Sequence, residues 1–318
     1  MIAREPLALF AQAKAGSRTA LARLVTYVES GGTRQRESVA LAYASAPPYV
    51  VGLTGPPGAG KSTLTDRLIT TLLERGRVGA TTIDQLGVLC VDPSSPFTGG
   101  AILGDRIRMQ DHATNAAVFI RSMATRGHLG GLSLAVPDAL RVLGAVGFPV
   151  ALVETVGVGQ MEVDIASAAD TTVVVTNPGW GDAMQANKAG LLEVADLFVI
   201  NKADRAGVRE TRRDLEQMLD LGGARAWRPL IVETVAQTGQ GTEALVEAVE
   251  AHQAYLASGE LARARERRAR AELDQVLALT LRARVTTLSG SEAYEAQVRA
   301  LLAGTTDPYG AAEALLSR

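Results

Sequence analysis

The stretch Val50-Val51-Gly52-Leu53-Thr54-Gly55-Pro56-Pro57-Gly58-Ala59-Gly60-Lys61-Ser62-Thr63 leaves this chain little choice of fold. It reads as a buried β-strand, a glycine-rich turn and the first turn of a helix. Gly55 to Ser62 satisfies G-x-x-x-x-G-K-[ST] at every fixed position, the pattern of a phosphate-binding loop. Gly55, Gly58 and Gly60 let the backbone turn tightly and approach a phosphate with no Cβ in the way. The loop amides then line an anion nest at the positive end of a helix. Lys61 is spaced to reach β- and γ-phosphate oxygens, and the Ser62 hydroxyl is a hard oxygen ligand for Mg²⁺. A glycine-rich turn with a chance lysine is the competing reading. The strand before the motif, and Leu64, Leu68 and Leu72 at helical spacing behind it, weigh against that.

Such a loop needs an α/β sheet to sit on, and the rest of the chain supplies one. Short, β-branched, near-continuous apolar runs recur at Tyr49–Thr54, Gly87–Val91, Ala117–Ile120, Pro149–Val153, Thr171–Thr176, Asp196–Ile200 and Pro229–Val232. Strands read this way when both faces are covered, as in a parallel sheet. Helical stretches separate most of them, so the expected fold is a doubly wound, mainly parallel α/β domain over residues 47–256. Pro47-Pro48 marks its entry. Residues 1–46 are expected to be a helical extension: Leu21, Leu24, Val25 and Val28 share one helix face, Ser17 or Thr19 caps it, and Gly31-Gly32 stops it. Residues 257–318 form a helical tail. There Arg263, Arg265, Arg267, Arg268 and Arg270 read as a solvated face, and Leu273, Val276, Leu277 and Leu281 form an apolar stripe.

Bulk properties exclude several function classes. A net charge of −2 gives no electrostatic case for nucleic-acid binding. No apolar run approaches the roughly 20 residues that cross a bilayer. Cys90 is the only cysteine, so no internal disulfide is expected and a cytoplasmic location is the default.

Candidate chemistry sits where runs end. Asp92 follows the second strand and Asp105 lies in the same small-residue loop; each either holds a Mg²⁺ water, orients the attacking water, or caps a turn or helix. Ala151-Leu152-Val153-Glu154-Thr155-Val156-Gly157 reads as a strand ending in a carboxylate, placing Glu154 near Mg²⁺ and the Gly157 amide near a γ-phosphate. Lys61, Asp92, Asp105 and Glu154 are thus the catalytic candidates. Val158 stands where Ras-like enzymes carry a water-orienting glutamine, and Gln160 lies two residues on, so slow intrinsic hydrolysis is expected. The loop bearing His128 reads as a switch or partner-binding loop, and Trp180 is either exposed for a partner or folded back as a plug.

Asn201-Lys202-Ala203-Asp204 follows a strand and matches N-K-x-D, the guanine reader. The Asp204 carboxylate accepts from guanine N1–H and the 2-amino group. Adenine has neither donor, so a buried Asp204 would be left unpaired by ATP. Asn201 bridges base and phosphate loop, and the Lys202 stem packs over the ring. After the last strand, Val235-Ala236-Gln237 occupies the place from which GTPases offer a backbone amide to guanine O6.

In these residues the chain resembles the MeaB/ArgK family of P-loop GTPases. The resemblance is carried by Gly55–Thr63, Val91-Asp-Pro-Ser-Ser95 with Gly99–Asp105, Gly127–Gly131, Glu154-Thr-Val-Gly-Val-Gly-Gln160, Asn201–Asp204 and Asp307-Pro-Tyr309. It implies a G domain with helical extensions, the C-terminal one forming a homodimer. It also implies GTP with Mg²⁺, held by Ser62, Asp105, Asp92 and Glu154, and nucleotide contacts from Gly55, Pro56, Pro57, Gly58, Ala59, Gly60, Lys61, Ser62, Thr63, Asp204 and Val235 to Gln237. Loops near 92–108, 154–164 and 177–188 would be switches. The implied partner is an adenosylcobalamin-dependent acyl-CoA mutase whose cofactor loading or rescue is gated by hydrolysis. One departure is the long segment from Gly76 to Leu89, expected to form a small protrusion. Two other readings compete. A nickel-insertion GTPase needs Cys/His ligands, which Cys90, His112, His128 and His252 supply only as scattered residues. A transport-associated ATPase or kinase is opposed by Asn201 to Asp204.

Overall fold

A computed structural model describes residues 4–92, 112, 114–124, 135–155, 165–179, 193–223 and 225–317, apart from the side chains of Asp92 and Ala166. The chain divides into two compact units, residues 1–262 and 263–318.

The first unit is built on a seven-stranded sheet. In chain order its strands are β1 (Tyr49–Thr54), β4 (Leu86–Asp92), β5 (Val118–Ala124), β6 (Val150–Thr155), β7 (Thr171–Thr176), β8 (Leu197–Asn201) and β9 (Leu230–Thr234), arranged β5-β4-β6-β1-β7-β8-β9. Every neighbouring pair is parallel. All seven expected strands are present, within a few residues of their expected ends. β1, β6, β7 and β8 are buried along their whole length, which is why they carry continuous rather than alternating apolar residues.

Helices cover both faces. On one lie α4 (Lys61–Arg75) and α7 (Thr242–Leu256), whose Leu64, Leu68, Leu245 and Val249 pack with Val51, Leu53, Val173 and Val199. On the other, α1 (Pro6–Lys14), α2 (Arg18–Ser30), α3 (Thr33–Ala42) and α5 (Ala135–Val146) pack on Val50, Leu89, Ala151 and Val153, while α6 (Val208–Leu221) packs on Val174, Phe198 and Ile200. From β1 the chain crosses to β4 and β5, returns to β6 beside β1, and then steps to β7, β8 and β9 on the other side, so the carboxyl ends of β1 and β6 flank a topological switch point, where open α/β sheets place ligands.

The N-terminal helices share the main core. Leu21, Leu24, Val25 and Val28 are all buried; Ser17 is the cap, accepting from Ala20 N at 3.3 Å; and Gly31 ends α2 at φ +77. Glu29 ties this layer to β5 through Arg121 at 2.5 Å. The long segment after Gly76 forms a miniature hairpin, β2 (Arg77–Val78) with β3 (Thr81–Thr82), fastened to α7 where Glu250 accepts from Gly79 N at 2.8 Å. Among the described residues no helix is long and apolar enough to cross a membrane.

The second unit continues α8 (Glu260–Leu288), which begins in the first, and adds α9 (Glu292–Leu302) and α10 (Pro308–Leu316). No residue of α8 is buried, and Leu273, Val276, Leu277 and Leu281 are exposed. Asp307-Pro308-Tyr309 is a helix start: Asp307 accepts from Tyr309 N at 2.9 Å and Gly310 N at 3.1 Å, with proline where no amide partner is needed.

Candidate functional site

The loop after β1 turns on glycines that no other residue replaces. Gly55 sits at φ +134, and a Cβ there would fall 2.0 Å from Val175 O. Gly60 sits at φ +93, and a Cβ there would fall 2.4 Å from Asn201 Nδ2. Each side chain is excluded twice, by conformation and by space. Around the curled backbone the Lys61 ammonium is buried and donates to Gly55 O at 2.7 Å and Pro56 O at 3.0 Å. The cation is therefore held over the same loop whose amides form the nest.

At the next residue the Ser62 hydroxyl donates to Glu154 Oε1 at 2.6 Å. Both side chains are buried, Glu154 at the carboxyl end of β6 beside β1. A hydroxyl and a carboxylate converging beside a phosphate-type loop are a hard-oxygen pair, the donor set that suits Mg²⁺ rather than a soft metal. The Thr155 hydroxyl, donating to Thr54 Oγ1 at 3.1 Å, ties the two strand ends together behind them.

The second half of the site grows from β8 and β9. Asn201 is buried and connects three segments: its Nδ2 donates to Ala59 O at 2.8 Å, and its Oδ1 accepts from Thr234 Oγ1 and Ala236 N, both at 3.1 Å. Lys202, the one described non-glycine residue at positive φ, sends its Nζ to Gly58 O at 2.6 Å. The N-K-x-D segment is thus bonded directly to the phosphate loop on one side and to the Val235–Gln237 loop on the other. Asp204 lies in the turn after β8 and is exposed. The expected burial of this carboxylate is therefore not supplied by the described residues of the protein.

The structure therefore brings together Gly55 to Thr63, Glu154, Asn201, Lys202 and Val235 to Gln237. Asp92 closes β4, in register with Ala124 of β5. Asp105, Gly157, Val158, Gln160, His128 and Trp180 lie outside the described residues. Two participants escape a motif search. Thr234, whose hydroxyl fixes the Asn201 amide, sits one residue before the Val235–Gln237 loop. Arg67 lies outside every motif and joins the site by donating to Ala236 O and Gln237 O, both at 3.2 Å.

Comparison with known proteins gives concordant results. The model of a family described as methylmalonyl-CoA mutase-associated GTPase MeaB matches residues 21–289. A Pyrococcus abyssi protein named as a GTPase is 46% identical over 314 residues, spanning 97% of this chain and 95% of that protein. The mouse protein named methylmalonic aciduria type A homolog, mitochondrial, is 37% identical over 272 residues, 79% of this chain and 64% of its own. A crystal structure described as an LAO/AO transport system kinase superposes with a TM-score of 0.70 at 26% identity, covering 100% of this chain and 99% of that one.

Proposed function

We propose that this chain, which belongs to the family of methylmalonyl-CoA mutase-associated GTPases typified by MeaB, uses GTP hydrolysis to gate the loading, protection or reactivation of adenosylcobalamin in an acyl-CoA mutase such as methylmalonyl-CoA mutase. The reaction is GTP with water to GDP and phosphate. Its intrinsic rate is slow because Val158 has no side-chain group to orient water, and docking on the mutase raises it.

One observation carries the nucleotide half of this reading: Asn201 bonds at once to the phosphate loop and to the base-side loop. Triphosphate and base are thereby measured against a single rigid side chain. Lys61 and the loop amides bind the phosphates. Ser62 and Glu154, with Asp92 and Asp105, would hold Mg²⁺, which would neutralise negative charge on the triphosphate. Asp204 reads the guanine N1–H and 2-amino group, and the Val235–Gln237 loop offers N–H to its oxygen. Gly157 would contact the γ-phosphate, so the segments near 92–108, 154–164 and 177–188 respond to hydrolysis.

The exposed stripe of Leu273, Val276, Leu277 and Leu281 supports a homodimer formed through the C-terminal helices. Action in the cytoplasm is part of the same proposal. The test is GTP turnover by the full chain, alone and with methylmalonyl-CoA mutase. A rise that saturates with mutase is expected. An unchanged rate, with no complex on gel filtration, removes the client from the account.

A further inference from the structure

Arg67 lies on α4, six residues beyond Lys61 and about 9 Å further along the helix axis. Its Nε donates to Ala236 O and its Nη2 to Gln237 O, both at 3.2 Å. These are successive carbonyls of the loop that follows β9. Three other groups of the turn are engaged elsewhere: Ala236 N bonds Asn201 Oδ1 at 3.1 Å, Val235 N bonds Gln240 O at 2.9 Å, and Val235 O accepts from Thr238 N and Gly239 N at 3.0 Å. No described peptide is cis. With the Ala236 carbonyl turned toward Arg67, the Gln237 N–H of the same planar unit points the opposite way. A guanidinium has donors and no acceptor, so it tolerates this loop in only one polarity.

That polarity bears on a purine. Guanine carries an acceptor oxygen at C6, whereas adenine carries a donor amino group there. A peptide that presents N–H selects the first, and the same peptide flipped to present C=O selects the second. We propose that Arg67 is a positioning residue for base selection: by holding the Ala236 and Gln237 carbonyls against α4, it commits the 235–237 loop to presenting N–H to the 6-substituent. This rests on the guanine-nucleotide reading above.

The same face of α4 continues away from the loop. Thr71 bonds Thr242 at 3.1 Å, and Arg75 reaches Glu243 at 2.6 Å and Glu250 at 2.9 Å, all on α7. Arg75 therefore serves as a control that weakens the seam without touching the loop.

The experiment is a competition titration on the full chain with GDP, IDP (6-oxo, no 2-amino group) and 2,6-diaminopurine riboside diphosphate (both amino groups). Wild type, Arg67→Ala, Arg67→Lys and Arg75→Ala are compared, with Tm recorded for each. Arg67→Ala is expected to lower the preference for GDP over the diaminopurine nucleotide by about tenfold, the size of one or two lost hydrogen bonds. Its preference for GDP over IDP, set by Asp204, stays at the wild-type value. Arg67→Lys recovers part of the loss and is read alone if the alanine variant does not fold. Arg75→Ala lowers Tm and leaves both ratios unchanged. Unchanged ratios in the Arg67 variants overturn the proposal while the wild-type preference for GDP stands. So does a parallel fall of both ratios in Arg67 and Arg75 variants alike, which would mark general loosening. A wild type indifferent to all three nucleotides would instead remove the parent reading, and this proposal with it.

Discussion

The two ends of the sheet both bury polar side chains, and they do so differently. At the carboxyl end, Lys61, Ser62, Glu154 and Asn201 bond to loop backbone or to each other around glycines held at positive φ. At the amino end, His252 Nδ1 meets Thr171 Oγ1 at 2.8 Å, that hydroxyl meets Tyr49 OH at 2.5 Å, and His252 Nε2 faces Asp196 at 3.4 Å. Trp227 closes this cluster, its ring 4.9 Å from His252 and its indole N–H on Asp196 O at 2.8 Å. Here aromatic rings seal the polar groups and strands anchor them. Buried polarity alone therefore does not mark a ligand site. What marks one is polarity gathered at the carboxyl ends of strands around backbone that only glycine adopts.

The sharpest way to separate the two ends is to remove one cation from the first. Lys61→Ala should lower GTP turnover by about 10²–10³-fold, the scale of losing one preorganised charge donor, with the denaturant midpoint little changed. Next in size, Asp204→Ala should reduce the preference for GTP over ATP by about 10²-fold in competition binding, as expected when a group that pairs with the base is lost. If instead both nucleotides weaken equally, Asp204 does not read the base.

At the amino end the effect should fall on stability. Burial pushes the His252 imidazole down to about 4, against a smaller opposing pull from Asp170. Its folded value lies below its ordinary one, so the unfolded chain binds the proton first. This contribution is complete above about pH 6.5 and is lost as pH falls toward 4, by roughly 2–3 kcal/mol. Urea unfolding at several pH values checks this, and His252→Gln should flatten that part of the profile. Smallest of all, Arg75→Gln should cost about 0.5–1 kcal/mol, since the Glu243 and Glu250 pairs are partly solvated.

Much of this was readable from residue order. The Gly55–Ser62 spacing dictates a strand, loop and helix, and the continuous apolar runs dictate a parallel sheet, because both signals are local. The convergence of Asn201 on the phosphate loop was likewise readable as two motifs, since each marks a strand end. Arg67 was not, because its partners lie about 170 residues away and a lone arginine on a helix face looks solvated. The exposure of Asp204 was not either: a tetrapeptide states which groups are offered and says nothing of what covers them. The hairpin at Arg77–Thr82 shows as extra length in the sequence, but its attachment to Glu250 and Gln253 is tertiary.

The central claim is that a single pocket grips phosphate at one end and distinguishes guanine at the other. Calorimetric titration of the wild-type chain with GDP and with ADP, each with Mg²⁺, tests it most directly. The account predicts that GDP binds at least about 10²-fold more tightly than ADP. Equal affinities for the two nucleotides would contradict it.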